Sequence, residues 1–210
     1  MLFFISLFFL FICSYTVSAR LEKIIYIDPG HGGYDGGAFV DGVKEADINL
    51  AISLELKSIL EDNGYKVLLT RDGDYDLSTD DNHKKRTDIQ ERVKLIENSE
   101  ALFYISIHQN TYTNAIYSGA QCFYNKYNGL SQLLAHNIQE SIFKSLNNTT
   151  RVAKSIDGIY LIDNVEKPGV LVECGFMSNV EEFNLLKDSD YQNQFAKSIY
   201  YGLLSYLLLC

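Results

Sequence analysis

Two histidines and two glutamates stand where the chain is best placed to do chemistry. His31 lies in a glycine-rich turn, DPGHGGYDGGA, directly after the apolar run KIIYID. His108 closes the apolar run ALFYISIH, and Glu173 closes PGVLVE. Glu45 follows the glycine turn at the mouth of a helical pattern. Two imidazoles and a carboxylate brought together from separate elements make a His₂Glu set, the donor set of a catalytic zinc site with an open fourth position. The remaining carboxylate would then act on the water that the ion activates.

Competing readings attach to each residue. Asp35, Asp41 and Asp47 lie close to Glu45, and spacing alone does not choose among these acids. His83, in a charged loop, and His136, within QLLAHNIQE, read as surface or packing residues. A carboxylate ending a strand as apolar as GVLVE needs a partner, because an unpaired buried charge is costly. The glycine turn fits neither phosphate motif. Its spacing puts Asp35 where a dinucleotide fingerprint needs its last glycine, and no Gly-Lys-Ser/Thr closes it. Its glycines are expected instead to permit positive φ, swing His31 into an open site and leave room for substrate.

The elements that must position these residues follow from periodicity. KIIYID, YKVLLTR, ALFYISIH, GAQCFYNK, IYLID and PGVLVEC read as strands. ADINLAISLELKSILEDNG places Ile48, Ile52, Leu56, Ile59 and Leu60 on one helical face and stops at Asn63-Gly64. Further helices are expected over RTDIQERVKLIENS, residues 129–146, NVEEFNLL and YQNQFAKSIYYGLLSYLLL, and residues 72–85 read as a polar acidic loop. This alternation predicts one α/β domain: a twisted, mostly parallel or mixed sheet of about six strands with helices on both faces. In such a sheet, ligands bind beyond the carboxyl ends of the strands, which is where His31, His108 and Glu173 fall.

The first 19 residues contain no Asp, Glu, Lys or Arg, are almost wholly apolar over residues 2–13 and end Val17-Ser18-Ala19. They read as a secretory signal peptide, leaving residues 20–210 as the working domain. An uncleaved anchor is the alternative, although about 20 apolar residues are needed to span a bilayer. A lipoprotein reading of Cys13 fails because Ile12 is not small. The mature chain keeps the whole formal charge of −9, which argues against nucleic acid as a partner. Three cysteines without close spacing remain, which argues against a disulfide framework and a cysteine zinc site. Cys122 and Cys174 read as buried thiols, with a nucleophilic Cys174 as the lesser alternative.

The segments YIDPGHGGYDGGA, KEADINLAISLELKSILEDNGYKVLLTR, YISIHQN and GVLVECGFMSN resemble, in order, the signature blocks of the zinc-dependent N-acetylmuramoyl-L-alanine amidases. The resemblance spans nearly all of the chain after the leader and is greatest to the germination-specific amidases of spore formers. It implies one zinc ion held by His31, Glu45 and His108, and Glu173 as the catalytic carboxylate. It also implies cleavage of the amide between N-acetylmuramic acid and L-alanine in peptidoglycan, outside the cytoplasm at the spore cortex. There the product would become muramic-δ-lactam once a deacetylase has acted. Asn110 is expected to assist the oxyanion, and a regulatory partner protein at the spore envelope is expected because no targeting module is present. Cys174 and Gln109 depart from the commonest family residues. Two rivals remain: a wall-binding module without catalysis, and a zinc carboxypeptidase whose carboxylate clamp would come from Arg71, Arg86, Arg92 or Arg151.

Overall fold

The computed structural model describes residues 23–209; the expected leader over residues 1–19, with Cys13, lies outside them, as does Cys210. The wholly buried run β1 (Ile24–Pro29) is followed by a small hairpin, β2 (Phe39–Val40) and β3 (Val43–Lys44), and by α1 (Glu45–Asp62). Next come β4 (Lys66–Leu69), α2 (Lys84–Glu97), β5 (Tyr104–Asn110), β6 (Gln121–Tyr124) and α3 (Gly129–Leu146). The chain continues through β7 (Lys154–Ser155), α4 (Tyr160–Asn164), β8 (Gly169–Phe176), α5 (Val180–Leu186) and α6 (Ser189–Leu207).

Six strands form one sheet in the order β4-β1-β5-β8-β6-β7. β4, β1, β5 and β8 run parallel, and β6 reverses against β8. The central strands are apolar throughout because both of their faces are covered. On one face Ile25, Ile27, Ile105, Ile107, Val170 and Val172 pack against α1, α3 and α6. On the other, Ile24, Tyr26 and Tyr104 meet Ile96 of α2 with Leu161 and Val165 around α4. Residues one apart on a strand face opposite layers, so His108 and Glu173 project from the α2–α4 face.

Two local expectations change. The run IYLID is not a strand: residues 160–164 form α4. A run this short has no period to separate helix from strand, and here the Gly158 N–H donates to Asp163 Oδ2 at 2.9 Å, favouring a helical turn. The acidic loop after β4 is more than a solvated surface. Asp74 Oδ1 accepts from the Gly33 N–H (2.8 Å) and Asp76 Oδ2 from the Tyr34 N–H (3.2 Å), so it braces the glycine turn.

Candidate active site

The site begins with the end of β1. The Gly30 N–H continues the parallel ladder by donating to Ile107 O (2.9 Å), and the chain then turns through His31 at φ 60°. A left-handed histidine costs on the order of 1–3 kcal/mol, so the fold must hold it. Two buried arginines do so through backbone carbonyls. Arg92 donates to Pro29 O (2.8 Å) and His31 O (2.6 Å), and Arg71 to Pro29 O (3.0 Å) and Gly30 O (2.9 Å). Arg92 also pairs with the buried Asp28 at 2.8 Å, which accepts from Thr70 and Ser106, each at 2.7 Å. Burial alone would raise the Asp28 carboxyl, but Arg92 and these hydroxyls hold it below its ordinary value.

Glu45 opens α1 and is nearly fully buried. Its Oε2 accepts from the Ala38 N–H (3.0 Å) and its Oε1 from the Gln109 N–H (3.1 Å). The same Oε1 faces His31 Nε2 at 3.2 Å and His108 Nδ1 at 3.1 Å. One potential ligand atom from each of His31, Glu45 and His108 lies within 4.8 Å of the other two. Asn49, one turn along α1, donates to Glu45 Oε1 and to Gly30 O, tying helix and turn together. Asp35 Oδ2 meets His31 Nδ1 at 3.0 Å, the outer carboxylate that fixes the ring and directs its other nitrogen inward. Burial disfavours charge on Glu45, yet hydrogen bonds from the two imidazoles drive its carboxyl far below the ordinary range. Burial would likewise lower His31, but Glu45 and Asp35 push it up to about 9.

Glu173 stands beside His108 in register across β5 and β8. Together with His31, Asp35, Arg92, His108 and Leu161 it lines a cavity of about 210 Å³. Its Oε2 is buried and has no hydrogen-bond partner among the described residues. Burial, reinforced by the charge of Glu45 and opposed by His108 and His31, pushes its carboxyl up to about 7. A carboxyl poised near neutrality can both take and return a proton. The donors fit a metal: two ring nitrogens and a carboxylate oxygen converge, an outer carboxylate orients one ring, and an unpartnered acid faces the same cavity.

The structure thus brings together His31, Glu45, His108 and Glu173. Of the acids that competed with Glu45, Asp35 supports His31, Asp41 occupies the β2–β3 turn at φ 46°, and Asp47 is exposed. His83 pairs with Asp80 in the surface loop, and His136 lies against Tyr124 on α3. Cys174 is buried on the opposite sheet face, and burial raises its thiol well above the ordinary value, which rules against a nucleophile. The space above the glycines is not left for substrate. A Cβ on Gly30 would lie 2.2 Å from the His108 ring, and one on Gly37 2.6 Å from Glu45 Oε2. These glycines make room for the site's own side chains. Arg71, Arg92 and Asp28 are supporting residues that the sequence reading did not place. Arg92 did carry a signal, since it shares a helical face with Ile89, Val93 and Ile96.

A mixed α/β sheet with a three-residue candidate metal cluster and an unpaired acid at its strand ends defines a hydrolytic enzyme. The chain belongs to the N-acetylmuramoyl-L-alanine amidase family, whose model matches residues 25–205. It is 45% identical over 188 residues to the germination-specific N-acetylmuramoyl-L-alanine amidase of Bacillus subtilis, covering 88% of this chain and 79% of that protein. Its fold is similar to that of the CwlD amidase from Clostridioides difficile, solved in complex with the GerS lipoprotein. That match has a TM-score of 0.87 and 39% identity and covers 90% of this chain and all of the other. The catalytic domain of CwlV from Bacillus (Paenibacillus) polymyxa matches with a TM-score of 0.78 at 30% identity, over 90% of this chain and 99% of that one. The protein is an N-acetylmuramoyl-L-alanine amidase acting on peptidoglycan. No helix among the described residues is long and apolar enough to cross a membrane.

Proposed function

We propose that the protein uses one zinc ion, held by His31, Glu45 and His108, to cut the bond between N-acetylmuramic acid and L-alanine during spore-cortex maturation, with Glu173 as proton carrier. The observation that carries this reading is the unpartnered Glu173 carboxylate facing the cavity beside three converging donors. When bound there, zinc supplies Lewis acidity to water and to the scissile carbonyl. Glu173 removes a proton from the attacking water and delivers it to the departing amine, so the acyl group ends as a carboxylate and the stem peptide leaves with a free amine. Such proton transfer contributes a factor of roughly 10² to 10⁴. Glu45 and Asp35 keep both ring nitrogens of His31 directed, and Asn110 is offered as a donor to the oxyanion.

The cortex role is supported by the similarity to the germination-specific enzyme of Bacillus subtilis. A deacetylase would act on the glycan after this step, completing the lactam. Residues 1–19 would export the chain and residues 20–210 would form the catalytic domain, acting between the spore membranes. A partner protein is supported by the CwlD amidase having been solved with a lipoprotein. The carboxypeptidase rival loses two clamp candidates, because Arg71 and Arg92 are buried and bonded to backbone carbonyls.

The test digests purified peptidoglycan and reads the products by mass spectrometry. Intact stem peptides are expected, and loss of a single terminal amino acid would overturn the reading. Glu173→Gln should retain zinc at wild-type stoichiometry while turnover falls roughly 10²-fold or more. His31→Ala should lose bound zinc by elemental analysis; an unchanged ratio would remove His31 from the ligand set.

A further inference from the structure

A second hollow, of about 290 Å³, is lined by Asn110, Tyr112, Tyr117, Arg151 and Phe176. Its floor comes from the same strands as the reaction centre: Asn110 is two residues beyond His108, and Phe176 three beyond Glu173. Its walls are fixed rather than loose. Tyr117 packs edge-on to Tyr112 and stacked on Phe176. The Tyr112 N–H donates to Ser178 Oγ (3.1 Å), and Asn179 Nδ2 to Ala115 O (2.9 Å).

Arg151 is held over the Phe176 ring at 4.9 Å by two polar contacts, Nε to Ser118 O at 2.9 Å and Nη1 to Gln121 Oε1 at 3.3 Å. Neither is a carboxylate, and the guanidinium forms no ion pair among the described residues. Glu182, an acid within reach of its charge, instead accepts from the Gly119 N–H (2.9 Å) and the Phe176 N–H (2.8 Å). The result is an oriented planar cation with open N–H groups, on a molecule whose net charge is −9. Such a fork suits a carboxylate better than any other anionic group of a peptide.

Gln121 is in register with Glu173 across β6 and β8. Neighbouring strands lie about 4.8 Å apart, so the guanidinium, beyond Gln121, stands roughly one to two extended residues from the reaction centre at ~3.5 Å per residue. The peptide that leaves in this reaction begins with L-alanine and carries its first free carboxylate on the next residue. We propose that this hollow is the subsite for the stem peptide and that Arg151 reads that carboxylate, fixing the scissile amide over Glu173. The assignment deepens the proposed function and rests on Glu173 marking the reaction centre. Arg151 acts as a specificity residue and takes no part in proton transfer.

The test uses the zinc-loaded protein and two muropeptides identical except that the α-carboxylate of the second stem residue is free in one and amidated in the other. Wild type should favour the free acid by about 10- to 100-fold in kcat/KM, mostly through KM. Arg151→Gln should abolish this preference, chiefly by raising KM for the free acid. Arg151→Lys, which keeps the charge without the fork, should fall between them. Unaltered thermal melting and zinc content in both variants establish that the site is intact. An equal preference in wild type, or a preference that survives Arg151→Gln, overturns the assignment. Failure of wild type to release the peptide from either substrate overturns the reading of the reaction centre, and the subsite with it.

Discussion

Glu173 is an acid placed where burial favours its neutral form, and that has a measurable consequence for stability. Its carboxyl rises from 4.5 to about 7 on folding, so the folded metal-free protein holds a proton that the unfolded chain releases. The resulting penalty is absent below pH 4.5, grows through the interval and is complete above about 7. Glu173→Gln should therefore stabilise the metal-free protein on the order of 3 kcal/mol at pH 8 and by almost nothing at pH 4.5, as read by urea unfolding. A gain independent of pH would refute this origin. His108 and Glu173 were legible because each is a polar group ending an apolar run, and His31 because it stands in a glycine turn just beyond one; Glu45 was separated from its acidic neighbours only by the family resemblance. Arg71 was not, since an arginine in sequence reads as a charge for solvent or for a substrate clamp, and Arg92 offered only its place on an apolar helical face; the geometry alone shows the carbonyls of the left-handed turn around both.

At the level of elements, the strands and helices that carry the site were readable because β1, β5 and β8 are continuous apolar runs and α1 keeps a strict buried stripe through Ile48, Ile52, Leu56 and Leu60. The β2–β3 hairpin was overlooked although Asp41-Gly42 is a strong two-residue turn signal, realised with both residues at positive φ. Its strands are too short to show alternation. The two-residue β7 gives no pattern at all, being defined only by its pairing with β6. Close packing of α3 on α6 depends on one glycine. A Cβ on Gly202 would lie 2.5 Å from Ile138 Cα and 2.8 Å from Asn137 O. Gly202→Ala should thus force the helices apart and cost about 1–3 kcal/mol, despite the better helix propensity of alanine. The expected drop in Tm is about 2–4 °C per kcal/mol for a domain of this size. Activity per folded molecule should be unchanged, since α3 and α6 lie behind the sheet face opposite the site.

On the scale of the whole molecule, the candidate metal site joins three separate parts of the chain: the turn after β1, the start of α1 and the end of β5. Metal bound there stabilises the folded form by mass action, about 2.7 kcal/mol at a free concentration one hundred times Kd. Stripping the ion with a chelator should lower Tm by roughly 5–10 °C, and restoring zinc should recover it. Calorimetry with and without chelator checks this, and an unchanged Tm would argue against a structural link through the ion. The acidic charge acts at the same scale, so the cation in the peptide hollow stands out against a field that otherwise repels carboxylates.

The sheet order also governs when the protein becomes dangerous to a wall. β8 lies between β5 and β6, yet it is synthesised after both. The imidazoles and Glu45 are all present in the growing chain long before the acid that completes them. On the proposed role of Glu173, a ribosome-bound or prematurely terminated product lacking that middle strand would have no proton carrier, and hydrolytic competence would arrive only as the last large piece of the sheet slots into place.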